Sequence, residues 1–86
     1  MNINQLILIV TEKINKNILL KSINIEDKTF LHKGHKANQD EKFHLKLTIM
    51  SQELKKMNKI QSTKKIYSIL DEELKKYIHS IQILII

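Results

Sequence analysis

A chain of 86 residues can build one hydrophobic core and is too short for a second, so a single domain over residues 1–86 is expected. Apolar residues make up 42% and charged residues 28%, the balance of a folded globular protein rather than a disordered one. There is no cysteine, which excludes a disulfide framework, a thiolate ligand from this chain and a sulfur nucleophile, and which suits a reducing compartment. The formal charge of +6 is carried by lysine alone, since no arginine occurs; it attracts polyanions in general without defining a site for any of them.

Ile3, Leu6, Ile7, Val10 and Ile14 recur at the spacing of one helical face, and the polar run Asn15-Lys16-Asn17 ends that helix. Leu19 to Glu26 reads as a strand, with Leu19, Ile23 and Ile25 sharing a parity. From Asp27 to Lys42 the apolar pattern lapses around the single glycine, Gly34, and a long exposed loop is expected. Strict alternation then puts Phe43, Leu45, Leu47 and Ile49 on one face of a second strand and His44, Lys46 and Thr48 on the other. Ser51 is placed to cap a short helix through Leu54 and Met57. Gln61-Ser62-Thr63 precedes a longer helix whose buried stripe is Ile66, Ile69, Leu70, Leu74 and Tyr77. The pairs Asp71 with Lys75 and Glu72 with Lys76 mark its exposed face. His79 to Ile86 closes the chain as a third strand, with Ile81, Ile83 and Ile85 sharing a parity. The order α-β-β-α-α-β predicts an α+β two-layer fold, a three-stranded sheet with helices on one face.

Four histidines are the residues best suited to chemistry: His32 and His35 in the loop, His44 in the second strand and His79 at the start of the third. His32-Lys33-Gly34-His35 is not by itself a zinc signature, because a closed zinc site needs three or four converging ligands. Histidines in loops and at strand ends are ordinarily solvated or hydrogen-bonded, and that bland role stands beside the metal-binding one for each of the four. No acidic pair near a plausible pocket, glycine-rich phosphate loop or nucleophile elbow is present, so an enzyme is not expected. The opening residues have no basic region ahead of the apolar run Leu6 to Val10, and that run is too short to span a bilayer; a cytoplasmic protein without membrane attachment is expected.

The stretch Asp27-Lys28-Thr29-Phe30-Leu31-His32-Lys33-Gly34-His35 resembles the BolA family, as do Phe43-His44-Leu45, Ile66-Tyr67 with Leu70, Glu73-Leu74, and Ile78-His79-Ser80-Ile81. The likeness runs over most of the chain. It lies in an acidic residue and a hydroxyl ahead of a His-Gly-His-like loop, a histidine in the second strand, and a segment similar to the family's valine-histidine-alanine-leucine opening the last strand. The resemblance implies a fold similar to class II KH domains, which agrees with the order reached from periodicity. It also implies a partnership with a monothiol glutaredoxin carrying a Cys-Gly-Phe-Ser motif, with which family members share a [2Fe-2S] cluster in iron-sulfur cluster trafficking and iron homeostasis. The ligands carried over residue by residue are His35 and His79, with His32 as the substitute in the loop. Thiolates would come from the partner and from glutathione, a mixed set known for such clusters. No cofactor is expected when the chain is alone, as a monomer or weak homodimer.

The resemblance also implies an alternative, a DNA-binding transcriptional or morphology regulator with a helix-turn-helix-like surface. Lys55, Lys56, Lys59, Lys64 and Lys65 would supply its basic face, whose plainer role is a solvated surface. The family's arginine-histidine-arginine triplet is here Ser62-Thr63-Lys64, and its aromatic and glycine between the two helices are Leu54 and Lys56. Without arginine there is no bidentate fork for guanine, and the Gly-x-x-Gly clamp of KH domains is missing, so weak non-specific nucleic-acid binding is what the lysines alone predict. A protein-interaction module that holds no metal is the third reading.

Overall fold

The computed structural model describes residues 1–29 and 42–86. Its elements, in chain order, are α1 (Ile3–Asn17), β1 (Ser22–Asp27), β2 (Phe43–Met50), α2 (Gln52–Lys55), α3 (Lys59–Ile69), α4 (Asp71–Lys76) and β3 (Ile78–Ile85). The sheet order is β1-β2-β3, with β1 antiparallel to β2 and β3 parallel to it. A parallel pair needs a crossover, and α2, α3 and α4 supply it.

The expected α+β architecture is the observed one, and the expected apolar stripes form its core. Leu6, Val10 and Ile14 of α1 are fully buried against Leu45, Leu47 and Ile49 of the central strand, together with Leu54, Ile66, Leu70 and Ile78. Asn2 caps α1 through a reciprocal box with Gln5, satisfying helix donors that would otherwise lack partners.

Four boundaries differ from the sequence reading. Leu19 is not in β1; it is 81% exposed, and its backbone is already engaged, its N–H donating to Glu53 and its carbonyl accepting from the Ser51 hydroxyl. Ser51 therefore has two roles, since its Oγ also accepts the Leu54 N–H as the expected cap of α2. The long helix begins at Lys59 rather than after Thr63, because Asn58 with Gln61 forms a second capping box and draws Gln61-Ser62-Thr63 inside. That helix bends at Leu70 into α3 and α4, although Leu70 and Leu74 still donate to Ile66 and Leu70. Finally, β3 begins at Ile78. Phe43 pairs with Ile78 but His44 pairs with Ser80, so His79 is the extra residue of a bulge. The bulge keeps Ile78, Ile81, Ile83 and Ile85 on the helix side despite their broken parity.

The expected loop from Asp27 to Lys42 lies mostly outside the described residues. Of its ends, Asp27 closes β1 and Lys42 immediately precedes β2.

Candidate functional site: the histidine end of the sheet

The site is built where β2 begins and β3 opens. Asp27 Oδ1 accepts the Thr29 N–H at 3.0 Å and also the Thr29 hydroxyl, a side-chain turn of the kind aspartate favours. Thr29 Oγ1 in turn accepts the His44 N–H at 3.1 Å, and the His44 carbonyl accepts the Lys28 N–H at 2.7 Å. The acidic residue and hydroxyl noted in the sequence thus tie the end of β1 to His44. Across β2, the Phe43 N–H donates to the Tyr77 carbonyl at 2.9 Å, fixing the entry to β3.

His44 is 5% exposed, and its ring stacks tilted on the His79 ring, with centroids 4.9 Å apart. Its Nδ1 shares a hydrogen bond of 2.6 Å with Ser80 Oγ, which holds the ring's rotation. His79 is exposed, as a bulge residue at a strand end is free to be. Beside them a cleft of about 240 Å³ opens on the outer sheet face, lined by Lys28, His44, Lys46, Ser80 and Gln82 among others.

Of the predicted ligands, the structure locates His79; His35 and its substitute His32 lie outside the described residues. Among the described residues no group of three or more histidine, cysteine or acidic side chains is gathered as a metal centre. The donors at this end of the sheet are imidazole nitrogens and the chain has no cysteine, which fits one iron of a mixed nitrogen and sulfur cluster and not a self-sufficient site. Sequence reading missed Ser80. Its partnership with His44 depends on the bulge, and simple alternation does not foretell it.

The predicted basic residues divide. Lys65 is bound to Glu53 at 2.6 Å, and this hydrogen bond, with that from the Leu19 N–H, holds the Glu53 carboxyl below the usual range. Lys55, Lys56, Lys59 and Lys64, on α2, the following turn and α3, form no ion pair with any described residue. Lys59 opens α3, whose first turn holds no acidic residue, so its charge adds to the positive end of the helix dipole.

These features define a class: a small α+β module with helices on one sheet face, an imidazole pair at one end of the sheet and a basic helical turn. The BolA-like protein family profile matches residues 14–86, and the chain belongs to that family. It is 32% identical over 73 residues to a protein of Haemophilus influenzae named DNA-binding transcriptional regulator BolA, an alignment spanning 85% of this chain and 68% of that one. Among solved structures it resembles BolA1 from Arabidopsis thaliana, with 28% identity and a TM-score of 0.75. It also resembles the BolA domain of SufE1 from the same plant, at 26% identity and the same TM-score. Both superpositions cover 91% of this chain and 86% of the other. No helix among the described residues is long and apolar enough to cross a membrane.

Proposed function

We propose that this chain is a cytoplasmic adaptor that pairs with a monothiol glutaredoxin and shares a [2Fe-2S] cluster with it, as cargo in cluster trafficking and iron homeostasis. The observation that carries the proposal is the anchoring of both flanks of the segment bearing His32 and His35 next to the histidine end of the sheet. Thr29, on one flank, holds the backbone of His44; Phe43, beside Lys42 on the other, is bonded to Tyr77 just ahead of β3. The bulge leaves His79 exposed at that same end, stacked on His44. His79 and His35 would offer the nitrogen half of the ligand set, and His44, held by Ser80, would orient the His79 ring. The cluster would supply the redox-active, thiolate-ligated iron, with partner cysteine and glutathione completing it.

Anaerobic mixing of the chain with a monothiol glutaredoxin, glutathione, iron and sulfide is expected to give a heterodimer whose absorption and circular dichroism differ from those of the glutaredoxin's own cluster-bridged dimer. His79→Ala and His35→Ala should each abolish that difference. If both variants keep the wild-type spectrum, the ligand assignment is wrong.

A second reading, DNA-binding regulation, is favoured by the name of the Haemophilus relative and by the four lysines around the α2–α3 turn that have no ion-pair partner among the described residues. It predicts DNA binding that survives competitor DNA. Lys55→Gln or Lys59→Gln should lower the slope of log affinity against log salt by about one unit each, whatever the sequence bound. Binding that shows no sequence preference would reduce this reading to lysine electrostatics.

A further inference from the structure

The outer edge of β3 has no hydrogen-bonded neighbour among the described residues. Among the described residues no strand lies beyond it. The Ile86 N–H donates inward to the Ile49 carbonyl, so alternation turns the N–H and C=O groups of Ile81, Ile83 and Ile85 away from β2. No described residue hydrogen-bonds to those outward groups. Edge strands are commonly guarded by lysine, proline or early termination. In a chain of fifteen lysines, β3 runs eight residues as IHSIQILI with no lysine, acid or proline. Leu84 and Ile86 are 46% and 42% exposed on its outer face.

A cleft of about 350 Å³ lies along this edge under the α2–α3 turn. Its apolar lining comes from Leu54, Met57, Ile83, Leu84 and Ile85, and Lys55 and Lys59 line it as well. A strand laid beside β3 would direct alternate side chains into this cleft and past the two lysines. Neither lysine has an ion-pair partner among the described residues, and the positive end of α3 adds to their charge.

We propose that this edge and cleft bind an extended acidic segment of another protein, which joins the sheet as a fourth strand through backbone hydrogen bonds to Ile81, Ile83 and Ile85. Apolar side chains of the segment fill the cleft between Leu54, Met57, Ile83 and Ile85, and its carboxylates meet Lys55 and Lys59. A second copy of this chain is a poorer occupant, because it brings the same lysines and a charge of +6 against its own kind. A single strand of nucleic acid is poorer too, because no aromatic side chain among the described residues lines the cleft for bases to stack on. Leu84, which lines the cleft, lies five positions along β3 from His79, roughly 16 Å, so the cleft is separate from the histidine end although the paired strand would begin two positions from His79, at Ile81.

The test is titration of the isotope-labelled 86-residue chain with a synthetic peptide about eight residues long to match the strand, in which valine and glutamate take turns at every second position, on the face turned to the cleft, with threonine between them, followed by amide NMR. Expected are shifts confined to β3 and the α2–α3 turn, with slowed exchange of the Ile81, Ile83 and Ile85 amides. A peptide with lysine in place of glutamate should not bind. N-methylation of every second peptide residue, in the register that faces β3, should abolish binding without touching the protein. The exposed double variant Lys55→Glu with Lys59→Glu, its fold checked by the same spectrum, should weaken the acidic peptide about tenfold. The proposal is overturned if the N-methylated peptide binds as well as the parent, or if the valine-glutamate peptide leaves the edge amides unmoved. It is equally overturned if sedimentation shows a dimer sealed through β3, or if an oligothymidylate shifts the same amides and displaces the peptide.

Discussion

At the scale of single residues, charge placement divides the molecule into groups that stabilise the fold and groups left to meet partners. Lys13 of α1 donates to Glu73 of α4 at 2.7 Å, and this bond raises the lysine above its ordinary pKa. Glu73 is 6% exposed, and its Oε1 has no hydrogen-bond partner among the described residues. Replacing the lysine alone strands a nearly buried carboxylate, whereas replacing both partners removes the desolvation problem. Lys13→Met is therefore expected to cost about 1–3 kcal/mol in urea unfolding at neutral pH, and Lys13→Met with Glu73→Leu to recover most of it. Because the folded lysine is raised, the pair's contribution is complete below the unfolded lysine pKa and is lost as pH climbs through the folded value, above about pH 10. Glu53 behaves in the opposite sense. Its folded pKa is lowered by Lys65 and by the Leu19 N–H, so its contribution is present above the unfolded carboxylate value and disappears as pH falls through the folded one. Comparing Glu53→Gln with the parent by denaturant midpoint should show a gap at pH 7 that closes below about pH 4.

At the scale of elements, caps and a bulge decide where each segment starts. Asn58 satisfies the Gln61 N–H and is satisfied in return, which sets the first turn of α3 and with it the position of Lys59 and Lys64. Asn58→Ala should lower stability by about 1 kcal/mol, measured as a shift in urea midpoint with an unchanged slope. α4 has no side-chain cap, but Asp71, Glu72 and Glu73 lie in its first turn and Lys75 and Lys76 in its last, the arrangement the helix dipole favours. At the opening of β3 the bulge places two consecutive residues, His79 and Ser80, within reach of the single residue His44. Ser80→Ala should leave the fold intact and loosen the His44 ring; if His44 orients His79 as proposed, it should weaken cluster retention in the glutaredoxin complex about tenfold.

At the scale of the whole molecule, stability is concentrated in one strand. β2 pairs on both sides, and Leu45, Leu47 and Ile49 are its buried contribution to the core. A domain of this size holds on the order of 5–15 kcal/mol in total, so a cavity at its centre is serious. Leu47→Ala is expected to cost about 2–5 kcal/mol by chemical unfolding. The two ends of the sheet are chemically distinct, with histidines and a hydroxyl where β3 opens, and an aliphatic edge beside lysines where it finishes.

The sequence by itself determined the layered architecture, because helical stripes such as Leu6, Val10 and Ile14 and the alternation from Phe43 to Ile49 are local signals that survive whatever packs on them. It also determined that this chain brings no cysteine thiolate to any metal, since composition alone settles that. The family likeness, carried by Asp27, Thr29, His44 and His79, was legible as spacing, but the work of Asp27 and Thr29 was not. Only the tertiary structure decided that Asp27 holds Thr29 and Thr29 the backbone of His44, that Ser80 holds its ring, and that Leu19 gives its backbone groups to Glu53 and Ser51 instead of a strand. It also decided that Lys65 is paired with Glu53 while Lys55 and Lys59 have no ion-pair partner among the described residues. Each of these contacts, apart from the short-range turn of Asp27 on Thr29, joins residues more than ten positions apart. Hydrogen-bond partners at that separation are fixed by strand register and helix docking, which depend on the packed core as a whole and not on any local pattern.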